Sequence, residues 1–568
     1  MATADPVNEL EAKAVAAPDP TAQKKTENPD TEPLPSTVLS GGRLYLVMFS
    51  LLVVGLDQTI NYRIASEFNS FSLQGWISTA FIMAQTVLLL FYGQLMRVFP
   101  AKLVLLAAIG LFEVGSLVCG VAHSAEQLIA GRVISGLGGA GVFVSMLQVM
   151  SEITTLKDRP RFFGMFGATF GISTIAGPLI GGAFTDHASW RWCFFINLPI
   201  GGLSIVAVTL FLKASPPLGS DPNKRTMRDI LKQTRQLDFL GAILVGGAVT
   251  SLILALQWGG NLKPWNDKAV IICFVFAAVL TVAFILWENY MGERAMTPLE
   301  IFHSRSVYAI VIFSVFIRSL VLLSYYVPLF YQITRNYSAT KAGINIFPLV
   351  LSMIFTSIGT GQIVSRIGYY WPFLVASPCF LALGSGLMFT ISTTTPAGRI
   401  AGFLIIIGVG IGLGMQNSLI AMQAEFKDNP KLLAQSTSMA SFAGFLGGTV
   451  GLGVAEPILA SLLTKYLRRY APDAPADIAK QSPTAIYTQL PASVIPGVLK
   501  AYTQSLRIVF ILGLPVAACA LLAAIFIRNI RIVKEEKKGD LEGNSNAEKG
   551  ESKDAPGETG KPQGVDSV

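Results

Sequence analysis

The feature that most limits what this chain can fold into is a series of apolar stretches, each about the twenty residues that cross a bilayer as a helix. With limits at 43–62, 77–96, 103–122, 128–149, 162–184, 192–212, 237–258, 269–288, 308–331, 343–364, 372–391, 399–420, 436–460 and 506–527, they number fourteen. Inside hydrocarbon every backbone polar group must be paired within the protein, so each stretch is expected as a helix and the chain as an all-α polytopic membrane protein. Only 14% of the 568 residues are charged, against roughly 25% in soluble domains. The net charge of +8 does not point to nucleic acid, because the basic residues are spread over short links.

Those links imply an orientation. One alternate set, running from Arg97 and Lys102 to Lys427 and Lys431, holds sixteen Lys and Arg; the other, from Arg63 to Lys341, holds six. The positive-inside rule puts the richer set in the cytoplasm, and an even span count puts both termini there too. Residues 1–42 and 534–568 lack an apolar core and read as disordered cytoplasmic tails, the first of them not a signal peptide. The long link 461–505 is expected to face outward as a partly ordered cap.

Several function classes fall away. Cys119, Cys193, Cys273, Cys379 and Cys519 lie in or beside apolar stretches without metal-ligand spacing, and three histidines make no metal site. No phosphate-binding Gly-x-x-x-x-Gly-Lys-Ser/Thr run occurs, which excludes an ATP-driven pump on this chain. With no nucleophile–base constellation either, neither an enzyme nor a cofactor is expected.

Between Phe170 and Leu203 two apolar segments flank one short polar link. Gly171, Gly177, Gly181 and Gly182 let a neighbouring helix come close. Pro178 removes a donor and is expected to bend its helix. Trp190 and Trp192 bracket Arg191, as where a span meets the headgroups. Gly177-Pro178 with Gly181-Gly182 resembles the antiporter motif of the major facilitator superfamily. Ser189-Trp190-Arg191-Trp192 through Asn197-Leu198-Pro199 is similar to the fungal fourteen-span branch of the drug:proton antiporters.

The resemblance covers most of 43–533 and implies the major facilitator fold. That means a six-helix bundle over 43–212, a cytoplasmic link with two extra spans over 213–307, and a second six-helix bundle over 308–533 carrying the outer loop 461–505. Substrate would sit between the bundles near the midplane.

Charges inside spans are costly and mark candidate sites. Asp57, in Leu56-Asp57-Gln58-Thr59-Ile60, resembles a first-span motif of the family; it is either a proton or substrate site or a tie to a neighbouring helix. Arg132 resembles the superfamily's proton-coupling arginine, since a buried guanidinium stabilises the charged form of a nearby carboxylate. Gly93, Arg97 and Lys102 occupy the gate motif after the second stretch, where Arg97 replaces the family's acid and the usual charge relay cannot operate. By the fold resemblance, Arg318 and Glu456 stand in stretches that correspond to cavity-lining helices, either as a pair or with Arg318 meeting an anionic substrate; the alternative is that Glu456 snorkels to the outer interface. Gln416 and Asn417 offer neutral donors and acceptors to a substrate or a neighbouring helix. Glu113 matches a family position and reads as a structural hydrogen-bonding group, and Tyr325, Tyr326 and Phe330 as a cavity wall or a lipid-facing surface.

The expected protein is a monomeric, proton-coupled exporter of an amphipathic drug, toxin or metabolite across the plasma membrane, working by alternating access. Its partners are a small-molecule substrate, protons and the lipid bilayer. Uptake or vacuolar transport of an amino acid, siderophore or organic acid is the alternative that Arg318 favours. A non-transporting receptor or assembly partner is the alternative that Arg97 favours.

Overall fold

The computed structural model describes residues 74–218, 227–260, 263–320, 322–475 and 483–532. Asp57 and the first apolar stretch lie outside the described residues, as do both tails. Among the described residues the structure is helical, with one isolated bridge between Gly259 and Lys263. The helices are α1 (Gln74–Val98), α2 (Ala101–Gly120), α3 (Ala125–Ile153), α4 (Arg159–His187), α5 (Trp192–Phe195), α6 (Asn197–Phe211), α7 (Met227–Arg235), α8 (Phe239–Trp258), α9 (Lys268–Met291), α10 (Arg305–Ser319) and α11 (Leu322–Arg335). They continue with α12 (Ala339–Ile344), α13 (Phe347–Ile367), α14 (Trp371–Phe389), α15 (Ala397–Glu425), α16 (Leu433–Tyr470), α17 (Pro483–Thr488), α18 (Ile495–Ile511) and α19 (Gly513–Ile525).

Twelve helical runs among the described residues are long and apolar enough to cross a membrane. They match the expected stretches except the first, which is not described, and 308–331, which is shared between α10 and α11 and interrupted near Leu320. Apolar periodicity carries no mark of that break, since Pro328 lies further on, inside α11. The 29-residue α4 runs on through Pro178. At 38 residues, α16 extends well past the expected limit and contains Pro457.

Packing follows glycine. Helix α3 lies between α1 and α2. A Cβ at Gly136 would meet the Phe81 carbonyl oxygen at 2.5 Å, and one at Gly138 would collide with the Phe112 backbone. Without a hydrophobic drive between helices in lipid, such close backbone approach supplies the dispersion contacts that hold them together. Helices α13 and α4 pack on each other, as do α16 and α1, and these contacts join the early helices to the late ones. Helix α9 is the least covered, showing Ile271, Phe276, Val279, Ile285 and Leu286 outward. An apolar outer surface of that extent suits lipid rather than water. At the opposite end from Arg97, Leu463, Leu467, Ile486, Val498 and Tyr502 form a separate apolar cluster, so part of the 461–505 link is ordered.

Candidate functional site

A cavity of about 120 Å³ lies among α1, α2, α3, α4 and α6, with Phe445 of α16 on its wall. Ile109, Phe112, Phe143, Phe166 and Phe170 make most of it apolar. Its polar side is formed by Gln85, Glu113, Thr169, Asn197 and Ser204. Glu113 packs over Gly201, where any Cβ would run into its carboxyl. The Asn197 amide Nδ2 donates to Ser116 Oγ at 3.0 Å. Glu113 Oε2 and Asn197 Oδ1 are buried and have no hydrogen-bond partner among the described residues. A buried polar atom left in that state costs roughly 1–3 kcal/mol, which a ligand donor or a bound proton would recover.

Aromatic contacts carry this cavity across to the late helices. The Phe143 ring meets Phe166 at 5.8 Å and Phe445 at 5.3 Å, the latter edge-on at 88°. On the same Phe445 ring lies the Arg318 guanidinium, 4.3 Å from its centroid. The Arg318 stem packs where Gly444 leaves room, and a Cβ there would meet Arg318 Cγ at 3.0 Å. The Arg318 cation is thus held on the ring that walls the cavity, without lining the cavity itself.

No Arg318–Glu456 ion pair is seen among the described residues, where Arg318 lies on the Phe445 ring. Glu456 follows Phe445 by eleven residues on α16, which is about 16 Å along a helix axis. There it is exposed and acts on Tyr325 and Tyr326. Tyr326 and Phe330 are buried in the main core and Tyr325 is 49% exposed; none of the three lines the cavity.

Gln416 and Asn417 sit on α15 but serve different surroundings. Asn417 Nδ2 donates back to Leu413 O at 2.6 Å. Gln416 faces α4, where a Cβ on Gly167 would meet its Nε2 at 3.1 Å and would collide with Ser357 Oγ. Gln416 Oε1 and Ser357 Oγ are buried without partners among the described residues, a second polar spot at the α4–α13–α15 junction.

Arg132 is 5% exposed. Its Nε donates to Ile77 O at 3.1 Å, and its guanidinium lies 4.4 Å over Phe81 and 6.0 Å from Phe194. Gly177 and Gly181 are buried on α4 and Gly182 is half-buried. Gly181 O accepts from Cys193 Sγ at 3.8 Å.

At the gate motif, Gly93 lets α1 approach α16, where a Cβ would stand 2.6 Å from Ser438 Oγ. Arg97 Nη1 donates to Glu293 O at 2.9 Å and to Gln435 Oε1 at 3.2 Å. Lys102 Nζ donates to Thr209 O at 2.8 Å. The arginine that replaces the acid is thus tied to neutral acceptors on α16 and on the segment after α9. Sequence reasoning named Asn197 only within a family motif, not as a site residue, and passed over the Phe143–Phe445 contact and Gln435. An asparagine inside an apolar stretch was the one visible signal among them.

The cavity thus lies among the early helices, with one ring of a late helix, Phe445, on its wall. The family model "Major Facilitator Superfamily" matches residues 38–452, and the chain belongs to that superfamily. It is 33% identical to the MFS-type transporter astH of Aspergillus oryzae, over 89% of this chain and 90% of that protein. It is 36% identical to the MFS-type efflux pump MFS1 of Trichophyton rubrum, over 84% of this chain and 89% of that protein. Among solved structures, the proton:xylose symporter XylE superposes with a TM-score of 0.57 at 12% identity, over 88% of this chain and 98% of that one. The fold is the major facilitator fold, and the protein is a multi-pass membrane transporter rather than an enzyme.

Proposed function

We propose that this chain is a proton-coupled exporter of amphipathic organic compounds, of the fungal fourteen-span branch, acting at the plasma membrane. One observation carries the reading: an aromatic, apolar cavity with a single carboxyl group, Glu113, on its polar side. An apolar body fits the phenylalanine wall, and a donor or cationic group on the cargo fits Glu113. A carboxyl in that setting must be either protonated or paired. Cargo and proton therefore compete for Glu113, and this competition is the elementary requirement of antiport. Relatives named as efflux pumps support the outward direction.

The bundles 43–212 and 308–533, with the insert 213–307 between them, then rock about the cavity as a monomer with both termini in the cytoplasm. Asp57 and Arg132 assist proton movement. Gly177, Pro178, Gly181 and Gly182 shape α4, and Gln416, Asn417 and Glu456 serve cargo away from Glu113. A second reading, export of an organic anion, is favoured by Arg318 on the Phe445 ring.

The test is transport in sealed proteoliposomes with an imposed pH gradient and a panel of labelled amphipathic cations, neutrals and anions. Gradient-driven accumulation of cations or neutrals that Glu113→Gln abolishes, with counterflow retained, is the expected result. Accumulation of anions alone, lost in Arg318→Gln and kept in Glu113→Gln, would select the second reading. Movement of no compound would refute both.

A further inference from the structure

The strongest feature outside the cavity lies where α8 begins and α9 ends. Asp238 is 2% exposed and Glu288 is 3% exposed, each at the end of a membrane-crossing helix. Asp238 caps α8: its Oδ1 accepts from Gly241 N at 2.7 Å and from Trp287 Nε1 at 2.8 Å. Glu288 Oε2 accepts from Thr297 N at 2.6 Å and Thr297 Oγ1 at 2.7 Å. That leaves one oxygen on each side chain, Asp238 Oδ2 and Glu288 Oε1, buried and without a donor. Asp238 Oδ1 accepts from Trp287, the residue before Glu288, so the two carboxyl groups belong to one packing point. Two desolvated acceptors at one packing point are satisfied by one shared proton, and without it two like charges face each other in a dry site.

The pair is wired to the gate. Residues 292–297 form a strap from α9 towards α10, and side chains from both α1 and α16 hold its carbonyls. Arg97 Nη1 donates to Glu293 O at 2.9 Å and Gln94 Nε2 to Arg294 O at 2.8 Å. Gln435 Nε2 donates to Ala295 O at 3.2 Å and Met296 O at 2.9 Å. Gln94 Oε1 also accepts from Asp238 N at 3.0 Å, so one glutamine joins the carboxyl pair to the strap. Thr297 completes the circuit through Glu288.

We propose that Asp238 and Glu288 form a one-proton site that latches the 292–297 strap across α1 and α16. With the proton in place the circuit closes and the strap staples the two helices together. When the proton leaves, for the water beside exposed Glu293 and Arg294, repulsion parts the carboxylates and Thr297 loses its anchor. The other charged groups around the site are Arg97 of α1, Arg235 at the end of α7, and Glu293, Arg294 and Glu300 on the strap side. Arg97 is engaged with Glu293 and Glu300, while Arg235, Glu293, Arg294 and Glu300 are exposed. The charged group acting on Glu288 is Asp238.

The sign follows from the proton count. The latched state holds a proton that the open state releases, so the latch persists at low pH and weakens as pH rises. The site concerns the gate alone and does not depend on which compound the chain carries.

Hydrogen exchange of the full chain in detergent micelles, read by mass spectrometry on the strap peptide across a pH series, tests this. After correction for base catalysis, strap protection should fall about tenfold per pH unit once the proton leaves, while α2 stays level. Asp238→Asn and Glu288→Gln each replace the shared proton with an amide hydrogen and should flatten the profile. A flat profile in the wild-type chain, readable even if both variants fail to fold, would overturn the proposal. So would the same slope in the variants, or a slope abolished by Glu300→Gln, which would move the titration to the exposed acids.

Discussion

Replacing Phe445 with alanine removes the ring that joins the cavity wall to Arg318, and the structure sets what that should cost. The edge-on contact with Phe143 lies at 5.3 Å and 88°, a geometry worth roughly 0.5–1.5 kcal/mol beyond area burial. The guanidinium of Arg318 lies 4.3 Å from the ring centroid, a contact worth about 0.5–2 kcal/mol. Loss of the ring's own dispersion contacts adds to both, so Phe445→Ala should destabilise by about 3–5 kcal/mol in all. The informative quantity is the coupling. A cycle with Arg318→Gln should show an interaction energy of about 1 kcal/mol, and a separate cycle with Phe143→Ala a similar one. Equilibrium unfolding in mixed detergent micelles, with wild type, single and double variants side by side, measures both. Phe445→Leu restores bulk without the ring, so it should recover the packing loss and leave the Arg318 coupling absent. If the Arg318 double variant equals the sum of its singles within about 0.3 kcal/mol, the cation does not rest on that ring and the reasoning fails.

Gln435→Leu should be among the most damaging neutral substitutions. It strips the donor from two strap carbonyls and the acceptor from Arg97. A loss of about 2–4 kcal/mol and faster proteolysis of the strap are expected, and unchanged cleavage would count against the strap geometry. Gly138→Val should prevent α3 from seating against Phe112, lowering the yield of monodisperse protein several-fold in size-exclusion chromatography; a normal yield would mean the helices part at little cost. The charge swap Arg318→Glu with Glu456→Arg should recover nothing lost in Arg318→Glu alone, because Arg318 of α10 rests on Phe445 and Glu456 stands about 16 Å further along α16 than Phe445. Rescue in a transport assay would show that they do meet.

The apolar stretches were legible because insertion into hydrocarbon is a local property: each segment either hides its own backbone and carries enough apolar surface, or it does not. Twelve of those stretches recur among the described residues as helices of spanning length. The same local logic marked Arg132, Arg318 and Glu113 as expensive charges, and the Gly177-to-Trp192 motifs led to the superfamily. What each charge meets was not legible, since it depends on the rotation and tilt that packing imposes on a helix. Glu113 read as a structural group, yet packing over Gly201 turns its carboxyl into the cavity. Arg318 and Glu456 looked like partners because both were buried charges in late stretches. Arg318, on α10, rests on Phe445, and Glu456 lies eleven residues further along α16. Asp238 and Glu288 are separated by fifty positions, and each alone looks like an ordinary helix-end acid. Only the antiparallel packing of α8 on α9 brings the start of one against the end of the other. The chain's chemistry alone thus determined that it crosses a membrane many times and which superfamily it joins. The tertiary structure decided which charges share a site, because a one-dimensional hydropathy pattern carries no information about which face of a helix meets its neighbour.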